Sequence, residues 1–319
     1  MPVSNFPNGF AAGLTVRNMP LLQTHPGRVF WVGNSGGTTP GGQSAASNGN
    51  NGDVNKPFST IAYAITRAAS GDIIIVRPGH TESVSSATGM AMSTAGVAVV
   101  GLGIGSNRPT ITIDTANTAT IAVSADNCSF QNILFKANFL SIAACFVLTT
   151  AKNFTVENCE FRDTSSTLNF LNIVKSTGAA NTVDGLTFNG NVVINLGVTT
   201  NNTTILTANT IEGLTLIGNY LKWAVQNDKA IGVIVTAGIL TNLRAIDNIG
   251  YRPNTTTAGG SFINVGGTTS TGVVARNLIQ TLTTTTDLLF TTSVGLAAFE
   301  NRVSGVVGAT GFVIPAVDS

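Results

Sequence analysis

From about residue 120 onward, apolar and polar residues alternate over stretches of four to six, with Gly, Asn, Thr or Asp between them. Alternation with period two marks a strand that buries one face. The stretches recur as a set. They read Cys128-Ser-Phe130-Gln-Asn132, Phe154-Thr-Val156-Glu-Asn158, Leu186-Thr-Phe188-Asn-Gly-Asn191, Leu214-Thr-Leu216-Ile-Gly-Asn219 and Leu243-Arg-Ala245-Ile-Asp-Asn248, with weaker copies ending at Asn277 and Asn301. Successive asparagines of this set stand roughly 24–33 residues apart, within the range of roughly 20–50 residues that marks a solenoid. Some copies align only with a one-residue insertion. Val192–Ile194, Ile205–Leu206 and Val233–Val235 are further strands between the copies. Each repeat therefore has room for three short strands and three turns, one coil of a parallel β-helix. Asparagine at a corner suits a left-handed turn whose amide bonds up and down the stack.

The first quarter of the chain follows other rules. Residues 1–27 hold several prolines and no sustained period, and read as an extended arm that docks onto a neighbour. Arg28-Val-Phe-Trp-Val32 alternates like a strand, and 33–55 reads as a Gly/Ser/Asn-rich loop, mobile or in contact with a partner. In Phe58–Ala69 the residues Ile61, Ala64, Ile65 and Ala68 recur at helical spacing, with start signals at Pro57 and Ser59 and a stop at Ser70-Gly71. Asp72-Ile-Ile-Ile-Val-Arg77 follows as a buried strand. Such a helix is placed to cap the open end of the stack. The expected fold is all-β: a single right-handed parallel β-helix over 58–305, a capping helix 58–69, an arm 1–27, a strand and loop 28–57, and a tail 306–319.

Composition changes the picture in one respect. Charged residues are 10% of the chain and hydrophobic ones 43%, so the surface is built from Thr, Ser, Asn and Gly. With formal net charge +1, little electrostatic repulsion keeps copies apart, which points to a surface that meets protein. The 16 Lys plus Arg against 15 Asp plus Glu leave no basic footprint for nucleic acid. No apolar run is long enough for a membrane span, and the opening residues carry no secretory signal pattern. Cys128, Cys145 and Cys159 have no metal-ligand spacing and read as buried thiols.

The Gly71–Gly79 segment with its preceding helix resembles the entry of right-handed β-helix proteins of the pectin-lyase-like superfamily. The Met1-Pro-Val-Ser-Asn-Phe-Pro7 opening and the Leu21–Trp31 stretch resemble tailed-phage structural proteins. The superfamily includes pectate lyases, polygalacturonases and polysaccharide-cutting tailspikes. This chain departs from their motifs: it has no acid cluster for calcium, no Asp-Asp pair and no Gly-His-Gly, Gly79-His80-Thr81 being the nearest.

The sharpest acid arrangement is Asp184-Gly-Leu-Thr-Phe and Glu212-Gly-Leu-Thr-Leu, which occupy equivalent positions in successive repeats. Stacked on adjacent coils they come to about 5 Å, the spacing of a retaining glycosidase pair. Lys152 precedes them by one coil, so the bland alternative is a solvated Lys-Asp-Glu corner. Glu157, Glu160 and Asp163 read as a charged outer strand face, with a weak calcium corner as the alternative. His25 and His80 lie apart and make no zinc site. Gly101-Leu-Gly103-Ile-Gly105 lacks a third glycine at the spacing of a dinucleotide fingerprint and is followed by Asn107-Arg-Pro109, not by a helix. Trp31 and Trp223 fit core or interface better than sugar platforms.

The expectation is a non-enzymatic phage head decoration or cement protein, a homotrimer made in the host cytoplasm and seated on the head exterior. It needs no cofactor or metal, and it binds itself and the major capsid protein through Phe6, Phe10, Leu21, Leu22, Phe30 and Trp31. The alternative is a tailspike or fibre β-helix that binds or cleaves host polysaccharide, with Asp184 and Glu212 as a weak catalytic pair.

Overall fold

A computed structural model describes residues 27–36, 44–197, 203–224, 230–252, 261–265, 269–281, 289–291, 295–304 and 311–312. All but two of its described strands fall into three long sheets, while Ile211–Glu212 and Leu240–Thr241 pair with each other apart from them. The first runs in ten strands from Val29–Val32 to Leu296–Phe299, the second in eight from Met90–Met92 to Phe290–Thr291, and the third in ten from Thr81–Val84 to Gly311–Phe312. Each strand pairs in parallel with its counterpart one coil away, as Thr155–Glu157 does with Ser129–Gln131 and Thr187–Asn189. The last pair of the third sheet alone is antiparallel among the described residues. This is the expected all-β parallel solenoid. Its first coil begins earlier than expected, because Val29–Val32 pairs with Ile73–Val76 inside the first sheet.

Alternation puts one row of apolar residues per sheet inside. Phe130, Phe135, Phe146, Phe154, Phe161 and Phe188 are fully buried, and ring centroids of successive partners lie 5.0–6.4 Å apart. The rings gain edge or stacked contacts beyond their area burial, Phe146 the most and Phe188 one, with Phe161. Cys128, Cys145 and Cys159 lie in the same core as free thiols. Burial raises all three, Cys145 well above the usual thiol range and Cys159 to about 12.

The asparagine pattern resolves into two different corners. The register places Phe130, Val156 and Phe188 side by side. Asn132 and Asn158 then align with Gly190, not with Asn191, and no insertion is needed. Asn132 (φ 55°), Asn158 (φ 52°), Gly190 (φ 62°) and Gly218 (φ 63°) all hold the left-handed turn. The next position points inward. It is Ile133 and Cys159 in the early coils and Asn191, Asn219, Asn248, Asn277 and Asn301 in the later ones, every one buried. In this ladder Asn219 Nδ2 donates to Phe188 O at 2.8 Å and to Asn248 Oδ1 at 2.8 Å. Asn248 Oδ1 also accepts the Asn219 backbone N–H at 3.1 Å. The bonds repeat from Asn191 to Asn301, so buried amides are satisfied coil by coil.

At the N-terminal end the helix is shorter than expected, Ile61–Arg67. Phe58 is held out of it by backbone bonds to Trp31 O and from Gly33 N, which make it an extension of the first sheet. Thr60 caps the helix through Tyr63 N–H. The first turn has no acid of its own. Glu82, reaching in from the third sheet, supplies one: its carboxylate accepts Ile61 N–H at 2.5 Å and Ala62 N–H at 3.0 Å. Buried Asp72 closes the other end by accepting Ala69 N–H and Arg28 N–H. Ile61, Ala64 and Ile65 bury their face on the core and close the stack.

The expected mobile loop is corrected over its described part. Residues 44–57 fold against the first strand, with Ser44 N bonded to Asn55 O, Ser47 N to Pro57 O and Trp31 N to Gly52 O.

Candidate functional site

Two places gather charge. One is the corner before the first sheet. Here the structure stacks Asp184 and Glu212 on adjacent coils as expected: Gly185 N donates to Glu212 O at 2.8 Å, and Glu212 N to Asp184 Oδ1 at 2.9 Å. Lys152 Nζ lies 3.6 Å from Asp184 Oδ2. Asn242 Nδ2 donates to Glu212 Oε1 at 3.2 Å, and Asp126 Oδ1 accepts Lys152 N–H at 2.8 Å. Every carboxylate is thus engaged by the next coil. The corner reads as a splint between coils, with Asp126 and Asp184 committed to backbone N–H groups and Glu212 to the Asn242 amide.

The other place is the outer face of the third sheet, where two rows of side chains point away from the core. One row runs Thr81, Thr110, Leu134, Glu160, Val192, Tyr220, Ile249 and Leu278. The other runs Ser83, Thr112, Lys136, Arg162, Ile194, Lys222 and Tyr251. Lys136 and Arg162 are direct neighbours across the strands and Lys222 stands two strands on, so the cations are spaced by roughly 5 and 10 Å. Arg162 pairs with Glu160, which also accepts Arg108 Nη1 at 3.0 Å. Among the described residues Lys136 and Lys222 have no ion-pair or hydrogen-bond partner for the ammonium. Tyr220 is 36% exposed, beside exposed Ile249 and Leu278. The result is a band of cations edged by an aromatic and apolar strip, suited to anionic groups carried on a stacking surface.

The acid run splits. Glu157 and Glu160 lie on outer faces as expected, Glu157 accepting Asn189 Nδ2 at 3.0 Å. Asp163 does not: it is 9% exposed and turns inward, accepting Phe170 N–H at 3.0 Å and Leu196 N–H at 2.8 Å. Burial raises its carboxyl to about 7 against the pull of those N–H groups. Among the described residues no three His, Cys, Asp or Glu side chains group to hold a metal ion. His80 is buried with Nε2 3.2 Å from Glu82 Oε2.

Of the expected partner-binding residues, Phe6, Phe10, Leu21 and Leu22 lie outside the described residues, as does His25. Phe30 is corrected: it faces the core and packs on Phe58 at 5.4 Å, because alternation turns it inward between Val29 and Trp31. Trp31 is half-buried on the outer face. Trp223 is fully buried, its Nε1 donating to Thr204 Oγ1 at 3.0 Å. The cation row escaped the sequence reading because Lys136, Arg162 and Lys222 lie far apart along the chain. The visible signal was a cation at the third position of three third-sheet strands, Leu134–Ala137, Glu160–Asp163 and Tyr220–Trp223.

No protein-family model matches the chain, and no curated protein does. Two solved structures are similar in fold. A rhamnogalacturonan lyase aligns over 91% of this chain and 90% of its own at 11% identity, TM-score 0.48. The pectate lyase Pel9A aligns over 92% and 82% at 12% identity, TM-score 0.38. The expectation of a non-enzymatic protein is corrected here, since the solved structures found with this fold are named as polysaccharide lyases. At these identities the likeness is one of fold alone, a parallel β-helix.

Proposed function

We propose that the protein engages an acidic polysaccharide along the outer face of the third sheet, in the manner of a tailspike or fibre β-helix acting on host glycan. The observation that carries this reading is the row Lys136, Arg162 and Lys222, edged by Tyr220 and Tyr251. Strand-to-strand spacing sets the cations at intervals comparable to the length of a sugar ring. A polymer lying across the strands would bring its carboxylates over them. Lys136 and Arg162 together would neutralise one uronate carboxylate.

Calorimetric titration with polygalacturonate at low salt tests the reading. The wild type is expected to bind, with affinity falling as salt rises. The Lys136→Ala/Arg162→Ala double variant should bind about a hundredfold more weakly, at about a factor of ten for each lost charge-assisted contact. Ultraviolet absorbance of unsaturated products reports cleavage in the same samples. Equal affinity for polygalacturonate and for uncharged dextran would overturn the proposal.

A further inference from the structure

The third-sheet face is closed at its N-terminal end. Its edge strand, Thr81–Val84, cannot take a further partner at its start, because Asn34 reaches across. Asn34 Oδ1 accepts Thr81 N–H at 2.9 Å, and its Nδ2 donates to Gly79 O at 2.8 Å. Between this wall, the start of the helix and the edge strand lies a cavity of about 530 Å³, within the usual range for small-molecule sites. Its lining includes Ser35, Ser59, Ala62, Thr81, Glu82 and Ser83. Thr81 and Ser83 are also the first members of the two outward rows, so cavity and face are continuous.

The chemistry of the cavity differs from that of the face. Its lining carries no cation. The helix N–H groups beside it are already taken by Glu82, so no anion site is left there. Glu82 is held rigid by those two bonds and by His80, and it is the cavity's one charge. The hydroxyls of Ser35, Ser59 and Thr81 make no hydrogen bond among the described residues. Ser83 donates its proton to Asp114 at 2.9 Å, which leaves its oxygen to accept. A carboxylate or phosphate would meet an acid there, whereas a neutral polyol would find acceptors and donors together.

We infer that this cavity receives a neutral sugar residue at one end of the acidic chain, so that the polymer is engaged from that end. The inference rests on the reading of the face as a polysaccharide site. Its test compares short oligogalacturonates with the same oligomers carrying a neutral galactose residue at one terminus or the other. The wild type should bind one of the neutral-ended forms about tenfold more tightly than the all-uronate form, the worth of one charge-assisted hydrogen bond. Ala62→Phe, which fills the cavity, should abolish that preference while leaving the affinity for long polygalacturonate within about twofold. Ser35→Phe, in an exposed turn, gives a second filling should the helix variant fail to fold. No preference in the wild type, or a preference that survives a folded filling variant, overturns the inference. Loss of the preference with polymer binding intact supports it. If the wild type binds neither oligomer nor polymer, the reading of the face has failed and the cavity proposal falls with it.

Discussion

The corner at Asp184 and Glu212 and the face at Lys136, Arg162 and Lys222 are both ladders of charge, yet they do opposite things. At the corner each charge is answered by the next coil, through backbone N–H groups, Asn242 or Lys152. On the face the strand backbone is already used up in the sheet. Its outward side chains must find partners sideways, and Lys136 and Lys222 find none among the described residues. Periodic stacking of acids is therefore a poor guide to chemistry in a solenoid, because the coil-to-coil spacing that aligns them also lets the next coil satisfy them. A cation left unanswered on a flat face is the better guide.

Three experiments sharpen that contrast. The largest effect is expected on the reverse side of the face, at Asp163. Its folded carboxyl titrates at about 7 against the ordinary 3.8. The folded chain therefore holds a proton that the unfolded chain releases. Stability is highest below about pH 4, falls as pH rises toward 7, and levels off above it. The total loss is roughly 4 kcal/mol for a shift of this size. Denaturant unfolding from pH 4 to 8 should show this slope in the wild type and a flat profile in Asp163→Asn. Next, on the outward side of the same strand, Arg162→Glu should weaken polygalacturonate binding by roughly thirtyfold or more at low salt, with the difference shrinking as salt is raised. A salt-independent loss would show that the face acts by shape and not by charge. The smallest effect is expected at the corner. Asp184→Asn with Glu212→Gln should cost less than about 1 kcal/mol of stability, since the amide oxygens still accept the same N–H groups and the Lys152 pair is half exposed. Binding and product release should be unchanged; loss of cleavage with binding intact would return the corner to the catalytic role.

Much of the fold was legible because a solenoid repeats its instruction. Alternation and a steady coil-length period specified strands and stacking without long-range information. What the sequence obscured were matters of one residue. Asn132 and Asn158 mimic the later ladder asparagines but occupy the turn itself, a position that Gly190 and Gly218 take later. Asn tolerates left-handed backbone and also bonds well when buried, so its identity alone does not tell the two corners apart. Asp163 looked like the third acid of an outer run, yet alternation from Glu160 turns it inward, where Phe170 and Leu196 need an acceptor. Phe30 likewise belongs to the core by parity. The cation row was the least visible feature. Arg162 follows Lys136 by one coil and Lys222 follows Arg162 by two, so the three meet only through register.

The amide ladder also bears on how the chain is made. Asn248, Asn277 and Asn301 each accept, on the side-chain oxygen, from the asparagine 24 to 29 residues earlier, and each ladder asparagine short of the last offers its own backbone N–H and amide to the coil still to come. At a synthesis rate of about 5–20 residues per second, one coil emerges from the ribosome every few seconds. The helix at Ile61–Arg67 is made before the first full coils and gives them a floor. Assembly can thus advance upward from a seed, each new coil templated by the last, with no need for the far end of the chain.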